Sequence, residues 1–137
     1  MTYLVDTNVL SELRKRQPDP GVVMWFGEVP SERMSVSVLV LGEIRRGVEL
    51  LRSRDLPRSL RLQEWLEDLE ELFGERVLPV SGQVAEAWGR LDTRRGLPTV
   101  DGLLAATALV HGLTVVTRDR RSFERAGVAF LDPWAAG

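Results

Sequence analysis

Short apolar runs alternate along this chain with stretches whose apolar residues recur at helical spacing. Tyr3 to Val5 is the first run, rich in strand-forming residues and halted at Asp6-Thr7-Asn8, side chains that favour a strand-to-helix turn. It predicts a buried strand with Asp6 at its carboxyl end. Asn8 to Lys15 predicts a short helix whose basic end, Arg14-Lys15-Arg16, suits a helix C-terminus, and Pro18 and Pro20 close it. Gly21 to Glu28 predicts a second helix. Met34-Ser35-Val36-Ser37-Val38 alternates apolar and small polar positions as a strand does, then runs into a helix over Leu39 to Arg52 whose early part is too apolar to face water.

Arg58 to Phe73 is the clearest helix, with Leu62, Trp65, Leu66, Leu69, Leu72 and Phe73 on one side and Glu64, Glu67, Asp68, Glu70 and Glu71 on the other. Val77-Leu78-Pro79-Val80 predicts a short strand, at a sheet edge because of Pro79. Ser81 caps a helix from Gln83 to about Arg94; Gly96-Leu97-Pro98 breaks the chain; Thr99 to His111 is helical again, stopped by Gly112. Leu113 to Thr117 predicts a strand, Arg118 to Arg125 a turn and short helix, and Val128 to Leu131 a last strand before Asp132-Pro133-Trp134. Strands alternating with helices imply an α/β fold, a mainly parallel sheet flanked by helices on both faces. No repeat or linker divides residues 1–137, so a single domain is expected.

Composition narrows the chemistry. With 44% hydrophobic and 28% charged residues the chain is globular. No apolar run approaches the roughly 20 residues of a membrane span, and no basic leader opens it, so no membrane association and a cytoplasmic location are expected. The absence of cysteine excludes disulfides, Cys-based zinc sites and thiol nucleophiles. His111 is the only histidine, so neither a Ser-His-Asp triad nor a His-rich metal site can be assembled; at a helix end before Gly112 it reads as structural. A net charge of -2 gives no overall basic field, which leaves a nucleic acid only a local groove.

The informative residues are acids. Asp6 and Asp119 each close a predicted strand, Glu43 lies in the first turns of the helix after the Met34 strand, and Asp101 opens the Thr99 helix. Singly, each has an ordinary explanation as a cap, a dipole partner or a member of a surface ion pair. Only Glu43 resists, since Leu39, Val40, Leu41 and Ile44 make its surroundings look buried. Together they have routes to one crevice at the carboxyl edge of the sheet. Four carboxylates there would repel, and the remedy is a divalent cation; oxygen-only ligands favour Mg2+ or Mn2+. A metal-loaded acid cluster suits hydrolysis of a phosphodiester in a nucleic acid.

Leu4-Val5-Asp6-Thr7-Asn8-Val9-Leu10, Glu43 in Val38-Leu39-Val40-Leu41-Gly42-Glu43, Asp101 in Val100-Asp101-Gly102-Leu103-Leu104-Ala105-Ala106-Thr107-Ala108, and Thr117-Arg118-Asp119 resemble the successive acidic motifs of PIN-domain ribonucleases. End to end the chain is similar to the VapC toxins, above all the FitB-like branch, which Phe130-Leu131-Asp132-Pro133-Trp134 also resembles. The resemblance implies a three-layer Rossmann-like fold, Mg2+- or Mn2+-dependent endoribonuclease activity on RNA, a homodimer and a VapB-like antitoxin. It assigns Asp6, Asp101 and Asp119 as metal ligands, Glu43 as the acid completing the cluster, and Asn8 and Thr117 as supporting polar residues. Ser122 stands where many relatives carry a further acid, which leaves open whether one metal binds or two. Arg94, Arg95, Arg118, Arg120 and Arg121 are candidate RNA contacts. The alternative is a catalytically idle partner in a DNA-binding regulatory complex with its antitoxin. A receiver domain also gathers acids around Mg2+, but it would bring a paired acid motif early and a late lysine; here the only lysine is Lys15. The antitoxin's expected seat is the apolar surface between the Leu39 and Arg58 helices.

Overall fold

The computed structural model describes residues 1–91 and 96–136. Its elements run β1 (Tyr3–Val5), α1 (Thr7–Leu13), α2 (Pro20–Glu28), β2 (Met34–Ser37), α3 (Val38–Arg52), α4 (Leu56–Phe73), β3 (Val77–Leu78), α5 (Gly82–Gly89), α6 (Thr99–His111), β4 (Thr114–Val116), α7 (Arg120–Ala126), β5 (Phe130–Leu131) and α8 (Pro133–Ala136). Single 3-10 turns at Ser31–Arg33 and Gly74–Arg76 lead into β2 and β3. The strands form one parallel sheet in the order β3-β2-β1-β4-β5, with Tyr3 paired to both Met34 and Thr114, Val36 to Val77 and Val116 to Leu131.

This order places the site. From β1 the chain steps outward through β2 to β3, then returns to lay β4 and β5 on the other side of β1. The winding reverses between β1 and β4, and helices leaving those two strands part to opposite faces. A crevice opens beyond their carboxyl ends, the usual ligand position in such sheets. Leu4, Val5, Val36, Val115 and Val116 carry the sheet's share of the core, packed against Val9, Val40, Leu104, Ala105 and Phe123 from the helices.

Helix boundaries follow their capping residues more closely than the apolar pattern. Asp6 itself caps α1, so that helix begins at Thr7 and ends at Leu13, not over Asn8 to Lys15. The Ser37 hydroxyl accepts from the Leu39 amide and turns β2 into α3, which takes Val38 out of the strand. Asp55 caps α4, with Pro57 in its first turn, and starts it at Leu56, two residues before the expected Arg58. Helix α5 stops at Gly89, where the Arg90 amide bonds back to Glu86 and Ala87; the expected extension toward Arg94 is absent through Leu91, and Arg94 lies outside the described residues. Strand β5 is confined to Phe130–Leu131, shorter than Val128 to Leu131, and β3 sits at the sheet edge as Pro79 suggested.

Helices α3 and α4 form an antiparallel pair, tied by the Ser59 hydroxyl donating to the Val48 carbonyl at 2.8 Å. The early part of α3 is not buried as its composition suggested. Val40, Ile44 and Val48, four residues apart, point inward; Val38 is exposed, and Leu39 and Leu41 are half-buried. Four-residue spacing buries only a narrow stripe, which leaves the remaining apolar side chains at the surface. Among the described residues no helix is long and apolar enough to cross a membrane.

Candidate active site

Asp6 lies at the hinge between β1 and α1 and is 8% exposed. Its Oδ1 accepts from the Thr7 amide at 2.7 Å and its Oδ2 from the Thr117 hydroxyl at 2.9 Å. Burial dominates its electrostatics: desolvation raises its pKa to about 6, the two hydrogen bonds pull the other way, and the charges of Asp101 and Glu43 add to the rise.

Thr117 is fully buried and acts as a junction. Its hydroxyl donates to Asp6 while accepting from the Asp119 amide at 3.0 Å and the Asn8 side-chain amide at 3.3 Å. Asn8 in turn accepts from the Arg118 amide at 3.3 Å. The residue after β4 is thereby stitched to the first turn of α1, and Asp6 and Asp119 are held at a common junction.

Asp119 caps α7, accepting from the Ser122 amide at 3.4 Å and the Ser122 hydroxyl at 2.8 Å. Ser122 thus donates to Asp119 and adds no charge. Asp101, half-buried in the first turn of α6, has its pKa raised by desolvation first, then by the charges of Asp119 and Glu43, with partial relief from the Ser122 hydroxyl. Gly102, the next residue, lets the Trp88 ring lie close against α6: a Cβ there would stand 3.0 Å from the indole.

Glu43 departs from expectation. It is exposed at the mouth of the cleft, because the inward stripe of α3 runs through Val40 and Ile44 and leaves Glu43 on the flank. The Thr7 hydroxyl donates to its Oε1 at 2.8 Å, tying α3 to α1.

Asp6, Glu43, Asp101 and Asp119 therefore line one cleft of about 420 Å³, together with Thr7, Asn8 and Ser11. Ser11 and the Thr7–Glu43 bond had no signal in composition, although Thr7 and Ser11 stand four residues apart on one helix face. Arg118 and Arg120 are exposed beside the cleft, with the Arg118 guanidinium 5.1 Å from the centre of the Trp134 ring. Arg94 and Arg95 lie outside the described residues. His111 is exposed at the end of α6 and does not line the cleft.

Among the described residues no three acids converge into a ready-made cation cage. The donor set still fits Mg2+ or Mn2+. Mg2+ commonly takes one or two carboxylates and keeps its remaining waters, and the cleft has room for them. Burial and mutual repulsion already act against the ionised forms of Asp6 and Asp101, a strain that a cation between them relieves.

Parallel order, a carboxyl-edge cleft and four acids in sequence narrow the field, and the PIN domain family model matches residues 3–129. The chain belongs to the PIN-domain family. This PIN domain is 37% identical to toxin FitB of Neisseria gonorrhoeae over 96% of its own length and 97% of that protein. It is 34% identical to VapC ribonuclease Y4jK of Sinorhizobium fredii over 96% of each. The solved structure of FitAB bound to an IR36 DNA fragment matches this PIN domain with a TM-score of 0.88 at 36% identity, covering 97% of this chain and 96% of that one.

Proposed function

We propose that this PIN domain is the toxin of a type II toxin-antitoxin pair, a Mg2+- or Mn2+-dependent endoribonuclease acting in the cytoplasm as a single domain over residues 1–137. The observation that carries the reading is that Asp6, Glu43, Asp101 and Asp119, spread over most of the chain, line one cleft at the switch point of the sheet. The ribonuclease name of the Sinorhizobium relative supports the reaction.

A bound divalent ion would supply a Lewis acid that draws the phosphodiester in and acidifies a water. Asp6, Asp101 and Asp119 are the side chains that would hold it. Glu43, exposed and held by the Thr7 hydroxyl, would complete the charge cluster and orient the attacking water. Thr117 and Asn8 fix the orientation of Asp6 and the start of the Asp119 segment. Arg118, steadied over Trp134, and Arg120 at the start of α7 would contact RNA phosphates.

The partner we propose is a VapB-like antitoxin seated on the exposed apolar residues Val38 and Leu50 of α3 and Leu56 and Leu60 of α4, with the toxin itself a homodimer. The DNA-bound FitAB structure supports only the DNA-binding part of a second reading, in which this chain would be a catalytically idle member of a regulatory complex with its antitoxin.

Incubating the partner-free protein with labelled RNA and Mg2+ or Mn2+, with EDTA and Asp6→Asn as controls, separates the two. Cleavage that needs the metal and is lost in the variant is the expected result. A folded protein that binds metal and leaves a broad panel of cellular RNAs intact would favour the idle partner.

A further inference from the structure

We propose that Arg14, Arg58 and Arg61 form a phosphate-binding patch that seats the backbone of an RNA strand running out of the acid cleft; the inference rests on the ribonuclease reading above. Thr7 and Ser11 line the cleft, and Arg14, which caps the C-terminus of α1, continues the same helix face. At 1.5 Å per residue it stands roughly 10 Å beyond Thr7. Its guanidinium lies 4.7 Å from the centre of the Trp65 ring of α4, which fixes it beside that helix. Arg58, Arg61 and Trp65 share one flank of α4 by helical spacing, while the exposed leucines Leu56 and Leu60 turn away from it.

Three features are hard to explain by the fold alone. First, among the described residues none of the three arginines has a carboxylate partner. Second, Arg58 and Arg61 are close enough to Arg14 for their charges, after desolvation, to disfavour its charged form. Third, Arg58 lies in the first turn of α4 and Arg61 in the second, at the positive end of the helix dipole, where the acid is the N-cap Asp55, whose carboxylate accepts from the Arg58 backbone amide and not from a guanidinium. Unpaired like charges at the wrong end of a helix cost stability, and local rules are broken in this way chiefly where a site requires it. An external anion removes all three penalties. Phosphates of a strand whose scissile bond lies in the cleft would arrive along the Thr7–Ser11–Arg14 line, and arginine suits their geometry.

The test uses the full chain, free of partner, carrying Asp6→Asn to suppress cleavage, with a labelled single-stranded oligoribonucleotide as probe and Mg2+ present. Affinity is measured by fluorescence anisotropy over a series of salt concentrations, with circular dichroism to verify folding. Combining Arg14→Gln, Arg58→Gln and Arg61→Gln is expected to weaken binding by at least about tenfold at low salt. It should also flatten the plot of log affinity against log salt by about 2, at roughly 0.7 per lost phosphate contact. In the cleaving protein the same variant should raise KM with little change in kcat. Removing equal charge elsewhere, with Arg33→Gln, Arg52→Gln and Arg90→Gln, should leave the slope as it was. An unchanged slope in the Arg14 variant overturns the patch. So does intact RNA binding coupled with lost affinity for an acidic peptide, which would mark a protein-facing surface. If the parent chain neither binds nor cuts RNA, the ribonuclease reading itself fails and the patch falls with it; cleavage by the wild type distinguishes that case from failure of the patch alone.

Discussion

Removing the charge of Asp6 should make the metal-free protein more stable. The carboxyl is 8% exposed and its pKa stands at about 6 against an ordinary 3.8. A rise of about two pH units, at 1.36 kcal/mol each, means that holding the carboxylate ionised costs the folded state about 3 kcal/mol. Because the folded chain binds this proton more tightly than the unfolded one, the stability that Asp6 contributes is fully present below about pH 4 and is lost as pH rises through about 6. Asp6→Asn keeps an acceptor for the Thr7 amide but turns an amide N–H2 toward the Thr117 hydroxyl, losing one hydrogen bond, at about 1 kcal/mol. The variant should therefore exceed wild type by about 2 kcal/mol at pH 8 in EDTA, with the advantage gone by about pH 4.5 and reversed by up to about 1 kcal/mol at lower pH. Urea unfolding of both proteins across that range measures it, and the difference between them isolates Asp6 from the other titrating groups. Added Mg2+ should stabilise the wild type and leave the variant little changed. A variant that is less stable at pH 8, or a gap independent of pH, would refute the reasoning.

Thr117→Val should cost about 2 kcal/mol in urea unfolding and sharply reduce RNA cleavage, since the isosteric side chain leaves the Asp119 amide without its acceptor and frees the Asp6 carboxyl. Glu43→Gln keeps an acceptor for Thr7 and sits at the exposed mouth of the cleft, so melting should not move while the cleavage rate drops by at least about 100-fold. Gly42→Ala, in the exposed interior of α3 with nothing within 4 Å of a new Cβ, should stabilise by about 0.5–1 kcal/mol in thermal melts.

The alternation of strands and helices was legible from period alone, and so was the carboxyl-edge position of Asp6 and Asp119, because a strand that stops on a carboxylate leaves few choices for where that acid points. Glu43 was misjudged for a definite reason. Four apolar neighbours in sequence suggest burial, yet on a helix only Val40 and Ile44 among them face inward, and residue 43 falls on the flank. Boundaries slipped where a cap outranked the apolar pattern, as Asp6, Ser37 and Asp55 each did by one or two residues. The hydrogen bonds that give the cleft its shape, Thr7 to Glu43 and Thr117 to Asp6, span 36 and 111 positions of chain. No local pattern encodes a pairing over such a distance; the registers of β1 against β2 and against β4 bring the two about.

The register of β1 against β4 also sets the order of events during synthesis. Strand β1 is made long before its neighbour β4, which begins at Thr114, so the centre of the sheet stays open on one side until β4 follows. Asp6 emerges early and waits for Thr117; Asp119 follows two residues later. A nascent chain ending between Gly102 and His111 carries three of the acids without the Thr117 hydroxyl that orients Asp6. The cleft is therefore complete only once Thr117 and Asp119 have been made, more than a hundred residues after Asp6.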